Sequence, residues 1–225
     1  MRLLLLASLF FASTQADCDA NGLDAVRACY KDFLGFYGLD SGALLPPFPT
    51  FTLVRDETLR KSGVDYLRKV CENAAQLYQC TTPFATPLYS CLMNMTLDSS
   101  GLRFLYAHDQ ASGQYQCTDG YPTWVKDFDC IAKVKYEYLN ELAQCYALYW
   151  IELVESADFC TPYADPAGAY NSYMACKAPY YQKGCNGDPN AAAFSCASDR
   201  AAFLSDPDGQ ICEQKGLLHQ CPPYR

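Results

Sequence analysis

The sequence predicts an all-α, disulfide-rich protein built as two tandem small helical modules, and three observations lead there. Apolar residues recur at three to four positions over most of the chain, the helical period. Fourteen cysteines punctuate 225 residues. The spacing Cys71-x8-Cys80-x10-Cys91 recurs as Cys176-x8-Cys185-x10-Cys196, each window closing on an aromatic residue followed by Ser-Cys. On this pattern residues 17–120 form a first module and 121–225 a second, with a boundary near Asp119 to Thr123. The first then holds Cys18, Cys29, Cys71, Cys80, Cys91 and Cys117, and the second Cys130, Cys145, Cys160, Cys176, Cys185, Cys196, Cys212 and Cys221. Both sets are even, so each module can close its own disulfides; the pairing itself cannot be read from spacing.

Residues 1–16 combine Arg2, an apolar run from Leu3 to Phe11 and a small-residue exit at Thr14-Gln15-Ala16. These are the parts of a secretory signal peptide cut before Asp17. The run is shorter than the roughly 20 residues that cross a bilayer. A secreted, extracellular chain with no transmembrane segment is expected, and an oxidising compartment favours seven disulfides with no free thiol. The formal charge is −8. Without a Lys/Arg cluster such a chain is poorly suited to nucleic acid.

Gly22 to Tyr37 carries Leu23, Val26, Tyr30, Phe33, Leu34 and Tyr37 on one face, a helix stopping near Gly38. Gly38 to Thr52, with Pro46, Pro47 and Pro49, reads as a loop. Asp56 to Cys80 is one amphipathic helix spanning Gly63, and Leu88 to Leu97 and Gly101 to His108 are shorter ones. Thr123 to Thr161 lacks both Gly and Pro, and its stripe of Ile131, Val134, Tyr138, Leu142, Cys145, Tyr149 and Leu153 predicts the longest helix. Gly168 to Lys183 and Ala191 to Leu204 are helical around a turn at Gly184 to Asn190, and Gly216 to Arg225 is a tail held by Cys221.

Catalytic chemistry finds little purchase. A serine or cysteine nucleophile usually needs a histidine base, and only His108 and His219 are present. His108-Asp109 resembles the His-Asp pair of secreted phospholipase A2, but the paired cysteines and glycine loop of that motif are missing. The smallest cysteine gap is nine residues, too wide for a zinc doublet or a Cys-x-x-Cys redox pair. Asp206-Pro207-Asp208-Gly209 reads as an Asp-Gly turn, because an EF-hand register would put Leu204 and Lys215 where carboxylates belong. No catalytic, cofactor or metal residues are therefore assigned. Asn94-Met95-Thr96 is an N-glycosylation sequon, which calls for a surface position at Asn94.

The run Leu67-Arg68-Lys69-Val70-Cys71, then Cys80 and Cys91, followed by Ser99-Ser100-Gly101-Leu102-Arg103-Phe104, resembles nematode secreted cysteine-rich domains of the chondroitin proteoglycan 4 type and related nematode domain families of unknown function. The resemblance covers residues 18 to 130 best, and the second module only through its cysteines. It implies small helical disulfide-bonded extracellular domains without known catalysis. An acidic Ser-Gly-rich region for chondroitin attachment is lacking here. The expected function is a secreted noncatalytic structural or interaction protein of a matrix, cuticle, eggshell or host-facing secretion, with an extracellular protein or glycan as partner. A carrier of a small apolar ligand is the alternative, and a hydrolase the third reading.

Overall fold

The computed structural model describes residues 18–85, 88–96, 104–154, 160–163, 168–218 and 220–221. The expected leader, His219 and Ser99 to Arg103 lie outside them. Among the described residues there are eleven α-helices and no strand: α1 Ala20–Gly35, α2 Phe48–Ser62, α3 Val64–Thr81, α4 Leu88–Asn94, α5 Leu105–Cys117, α6 Tyr121–Lys126, α7 Phe128–Glu137, α8 Leu139–Val154, α9 Ala169–Gly184, α10 Pro189–Leu204 and α11 Pro207–Gln214. The protein is all-α and disulfide-rich. No helix among the described residues is long and apolar enough to cross a membrane.

Asp19 caps α1, its Oδ1 accepting from the Gly22 N–H at 2.6 Å. Val26, Tyr30, Phe33 and Leu34 of that helix are buried against Phe51, Leu77, Leu92 and Tyr106. The loop expected over Gly38 to Thr52 ends earlier, because α2 starts at Phe48 with Pro49 in its first turn. Proline is tolerated there, where an N–H has no intrahelical acceptor. The single helix expected over Asp56 to Cys80 is two, since Gly63 takes φ 71°, ψ −172° and separates α2 from α3.

The longest expected helix, Thr123 to Thr161, is also divided. Its axis breaks at Asp127 and Tyr138, which leave helical geometry at φ −108° and −114°. Residues 128–154 run antiparallel to α9, tied to it by Cys130–Cys185 and Cys145–Cys176. α9 contains Pro179, which removes an N–H donor and bends a helix. Tyr138 lies opposite, its ring 5.6 Å from that of Tyr180, so the break between α7 and α8 falls beside Pro179. The Asp206 to Gly209 turn is instead the N-terminus of α11, with Pro207 at its first position.

All seven disulfides are formed and no cysteine is free. Three lie within 18–117, Cys18–Cys91, Cys29–Cys80 and Cys71–Cys117. Four lie within 130–221, the two on α9 plus Cys160–Cys212 and Cys196–Cys221. Cys71 and Cys80 are nine residues apart on α3, so at about 100° per residue they leave opposite faces, one toward α5 and the other toward α1. Only the middle bonds of the repeated triplet correspond, Cys29–Cys80 with Cys130–Cys185. Cys71 pairs forward while Cys176 pairs backward, and Cys91 pairs backward while Cys196 pairs forward.

Among the described residues, the most extensive helix contact between the halves is that of α5 with α10. The Ser112 hydroxyl donates to the Ser198 carbonyl at 3.0 Å and Gln116 Nε2 donates to the Ser198 hydroxyl at 2.6 Å. His108 meets Phe203 at one end and Tyr115 meets Phe194 at the other, so the two helices are antiparallel. A further apolar cluster spans the halves, with Leu59, Leu67 and Val70 packed with Phe128.

The α7–α9 approach depends on one glycine. A Cβ at Gly184 would lie 2.3 Å from Val134 Cγ2, whereas one at Gly35, the last residue of α1, meets nothing within 4 Å. Gly184→Ala is expected to lower stability by about 1–3 kcal/mol. Gly35→Ala should leave it unchanged or raise it by up to about 1 kcal/mol. Thermal unfolding of the two variants checks the pair.

Candidate functional site

Two concavities flank the α5–α10 seam. One is a cleft of about 330 Å3 between α2 and α5 on one side and α7 to α10 on the other. Helical spacing builds it: Phe48, Thr52, Arg55 and Asp56 share one face of α2, and Leu105, His108, Asp109, Ser112 and Gln116 share one face of α5. Tyr173, Lys177 and Tyr181, four residues apart, come from α9. α10 supplies Ser195, Ser198, Asp199 and Ala202 with the ring of Phe203. The other concavity is an open groove of about 800 Å3 bounded by α4, α5, α10 and α11, whose polar lining is mainly Gln110, Gln114, Gln210 and Gln214.

Charge distinguishes the cleft. Arg55 Nη1 lies 2.5 Å from Asp109 Oδ1, Lys135 Nζ 2.9 Å from Asp56 Oδ2, and Lys177 Nζ 2.8 Å from Asp199 Oδ1. His108 Nε2 is 3.0 Å from Asp206 Oδ2. Burial pushes the Asp56 carboxyl up, and Lys135 with Arg55 outweighs it, holding the group below the usual carboxylate range. For Lys177 burial works against the charged form, yet Asp199 overrides it and raises the pKa. At Asp199 burial wins over Lys177 and the carboxyl titrates above its ordinary value.

Not every polar atom is matched. Asp199 Oδ2 and Ser195 Oγ are buried without a hydrogen-bond partner among the described residues. Ser195 is 3% exposed. Aromatic rings make much of the remaining wall: Phe203 stands 6.1 Å from Tyr173 and 6.2 Å from Tyr149. The Lys177 ammonium sits over the Tyr173 ring at 4.9 Å and over Tyr181 at 5.8 Å.

Of the residues singled out by sequence, His108 reaches the cleft, but its carboxylate partner is Asp206, 98 positions away, while the adjacent Asp109 serves Arg55. Among the described residues no serine, threonine or cysteine is hydrogen-bonded to His108. Asn94 is exposed at the end of α4. Among the described residues no group of three or more His, Cys, Asp or Glu side chains could hold a metal ion. Arg55, Lys177, Ser195 and Asp199 belong to no catalytic or binding motif in the sequence. The available signal was a charge set inside an apolar helical stripe, as with Lys177 between Tyr173 and Tyr181.

Comparison with protein-family models, curated proteins and solved structures gave no match. The residues of the cleft are therefore the only guide to its chemistry.

The tyrosines around the cleft and the first core set an alkaline limit. Burial raises the pKa of Tyr30 and Tyr149 well above the ordinary phenol value and that of Tyr173 to about 12. Because these folded-state values exceed the unfolded ones, the stability they contribute is fully present below about pH 10 and is lost as pH rises beyond it. Phenolate absorbance and circular dichroism followed together should show one set of tyrosines ionising near pH 10 and a second set ionising only with loss of helix. Complete ionisation with full helicity retained would contradict this.

Proposed function

We propose that this is a secreted, noncatalytic extracellular interaction protein of two tandem disulfide-stapled modules, which binds a small ligand in the cleft between them. The carrying observation is the cleft itself, whose aromatic walls and two unmatched buried oxygens form the kind of lining that orients small molecules. A carrier for a purely apolar ligand fits less well, because the ion pairs of Arg55, Lys135 and Lys177 reach the same surface.

Supporting the noncatalytic reading, every thiol is committed to a disulfide and His108 is engaged by Asp206 rather than by a nucleophile. Secretion rests on the leader over residues 1–16 and on seven bonds of a type that persists in oxidising compartments. The exposed Asn94 completes the reading as the site of an N-linked glycan. The resemblance of residues 18–130 to nematode secreted cysteine-rich domains belongs to the same proposal.

Native mass spectrometry of the full secreted chain is expected to show a bound small molecule that is lost in Ala202→Trp, which fills the cleft, while circular dichroism shows that the variant stays helical. No bound mass, or bound mass retained by the folded variant, contradicts the ligand reading. Hydrolysis of lipid, glycan or peptide that disappears in His108→Ala contradicts the noncatalytic one.

A further inference from the structure

Resting on the reading of the cleft as a ligand site, we propose that its ligand is a neutral, ring-bearing hydrogen-bond donor of the phenol or indole kind. Three features of the lining select that class.

The first is the pair of unmatched oxygens. Ser195 and Asp199 are four residues apart on α10, so their side chains stand one above the other on the face that lines the cleft. Lys177 occupies Asp199 Oδ1 at 2.8 Å, which leaves Oδ2 as a bare acceptor. A buried polar atom without a partner is destabilising by roughly 1–3 kcal/mol. A ligand O–H or N–H aimed at Asp199, with Ser195 one turn away, removes that penalty on binding.

The second is charge balance. Arg55, Lys135 and Lys177 are already balanced by Asp109, Asp56 and Asp199, with Arg55 also reaching Asp56, and His108 meets Asp206. A charged ligand would bring an uncompensated ion into a partly desolvated site, which is strongly unfavourable. A cation seeking the aromatic faces meets a further obstacle, since the Lys177 ammonium already covers Tyr173 and Tyr181.

The third is shape. Rings line the space, including Phe104, Tyr149, Tyr173 and Phe203, and they favour edge-to-face or offset contact with another ring. A volume of about 330 Å3 lies at the small end of ligand pockets and suits one or two fused rings.

The test is calorimetric titration of the full disulfide-bonded chain with naphthol, methoxynaphthalene and naphthylmethylammonium, which share a ring system and differ in donor and charge. Naphthol should bind roughly tenfold or more tightly than either of the others, the ratio expected for one hydrogen bond to a charged acceptor. Ser195→Ala removes a lone buried hydroxyl, so its melting temperature should be unchanged or higher while naphthol affinity falls roughly three- to tenfold. Asp199→Asn should weaken naphthol more than Ser195→Ala does. Equal or tighter binding of the methyl ether or the cation overturns the ligand class and leaves the ligand site standing. So does naphthol affinity that neither substitution alters. Binding by none of the probes overturns the ligand class as well, and the ligand site is then judged by the bound mass in native spectra.

Discussion

The close antiparallel approach of α5 and α10 is the constraint on which the rest of the molecule depends. It requires small side chains, because a serine hydroxyl on one helix reaches a backbone carbonyl on the other at 3.0 Å. Ser112, Ser198 and Gln116 supply the contact and hydrogen-bond one another across it. Both concavities lie along this seam, with residues of α2 and α9 lining one and residues of α4 and α11 lining the other.

Disulfides act at a different level. Their sequence separations run from 25 to 73 residues, and closing loops of this size restricts the unfolded chain by roughly 3–4.5 kcal/mol per bond in the chain-entropy account. They fix the helices within each half, α3 clasped between α1 and α5 and α9 held along its length by the rod of α7 and α8. None joins one half to the other, so the seam and the cleft rest on packing, hydrogen bonds and ion pairs alone. The Lys135–Asp56 pair is one such link, from α7 to α2.

Helix content was legible because the apolar period is strong, as in α1, where Val26, Tyr30, Phe33 and Leu34 were both the expected stripe and the observed buried face. Breaks were less so. Periodicity runs straight through Gly63, Asp127 and Tyr138, since a helix can change direction while its apolar face keeps the same register toward the core. Tyr138 breaks opposite Pro179 of α9, a tertiary relation that lies 41 residues downstream in the chain. The cleft was illegible for a related reason. Arg55, Lys177 and Asp199 look like solvated charges in sequence, and only the packing of α2, α9 and α10 makes them neighbours. The adjacency of His108 and Asp109 pointed the other way, to a pair that the helix splits between two different partners.

Two internally cross-linked halves are thus held together without a covalent bond between them other than the main chain. Cutting the chain at a protease site placed in 118–120 tests it directly. The two fragments are expected to stay together in native buffer and to separate in denaturant without any reductant. Fragments that remain linked in denaturant until a reductant is added would contradict it.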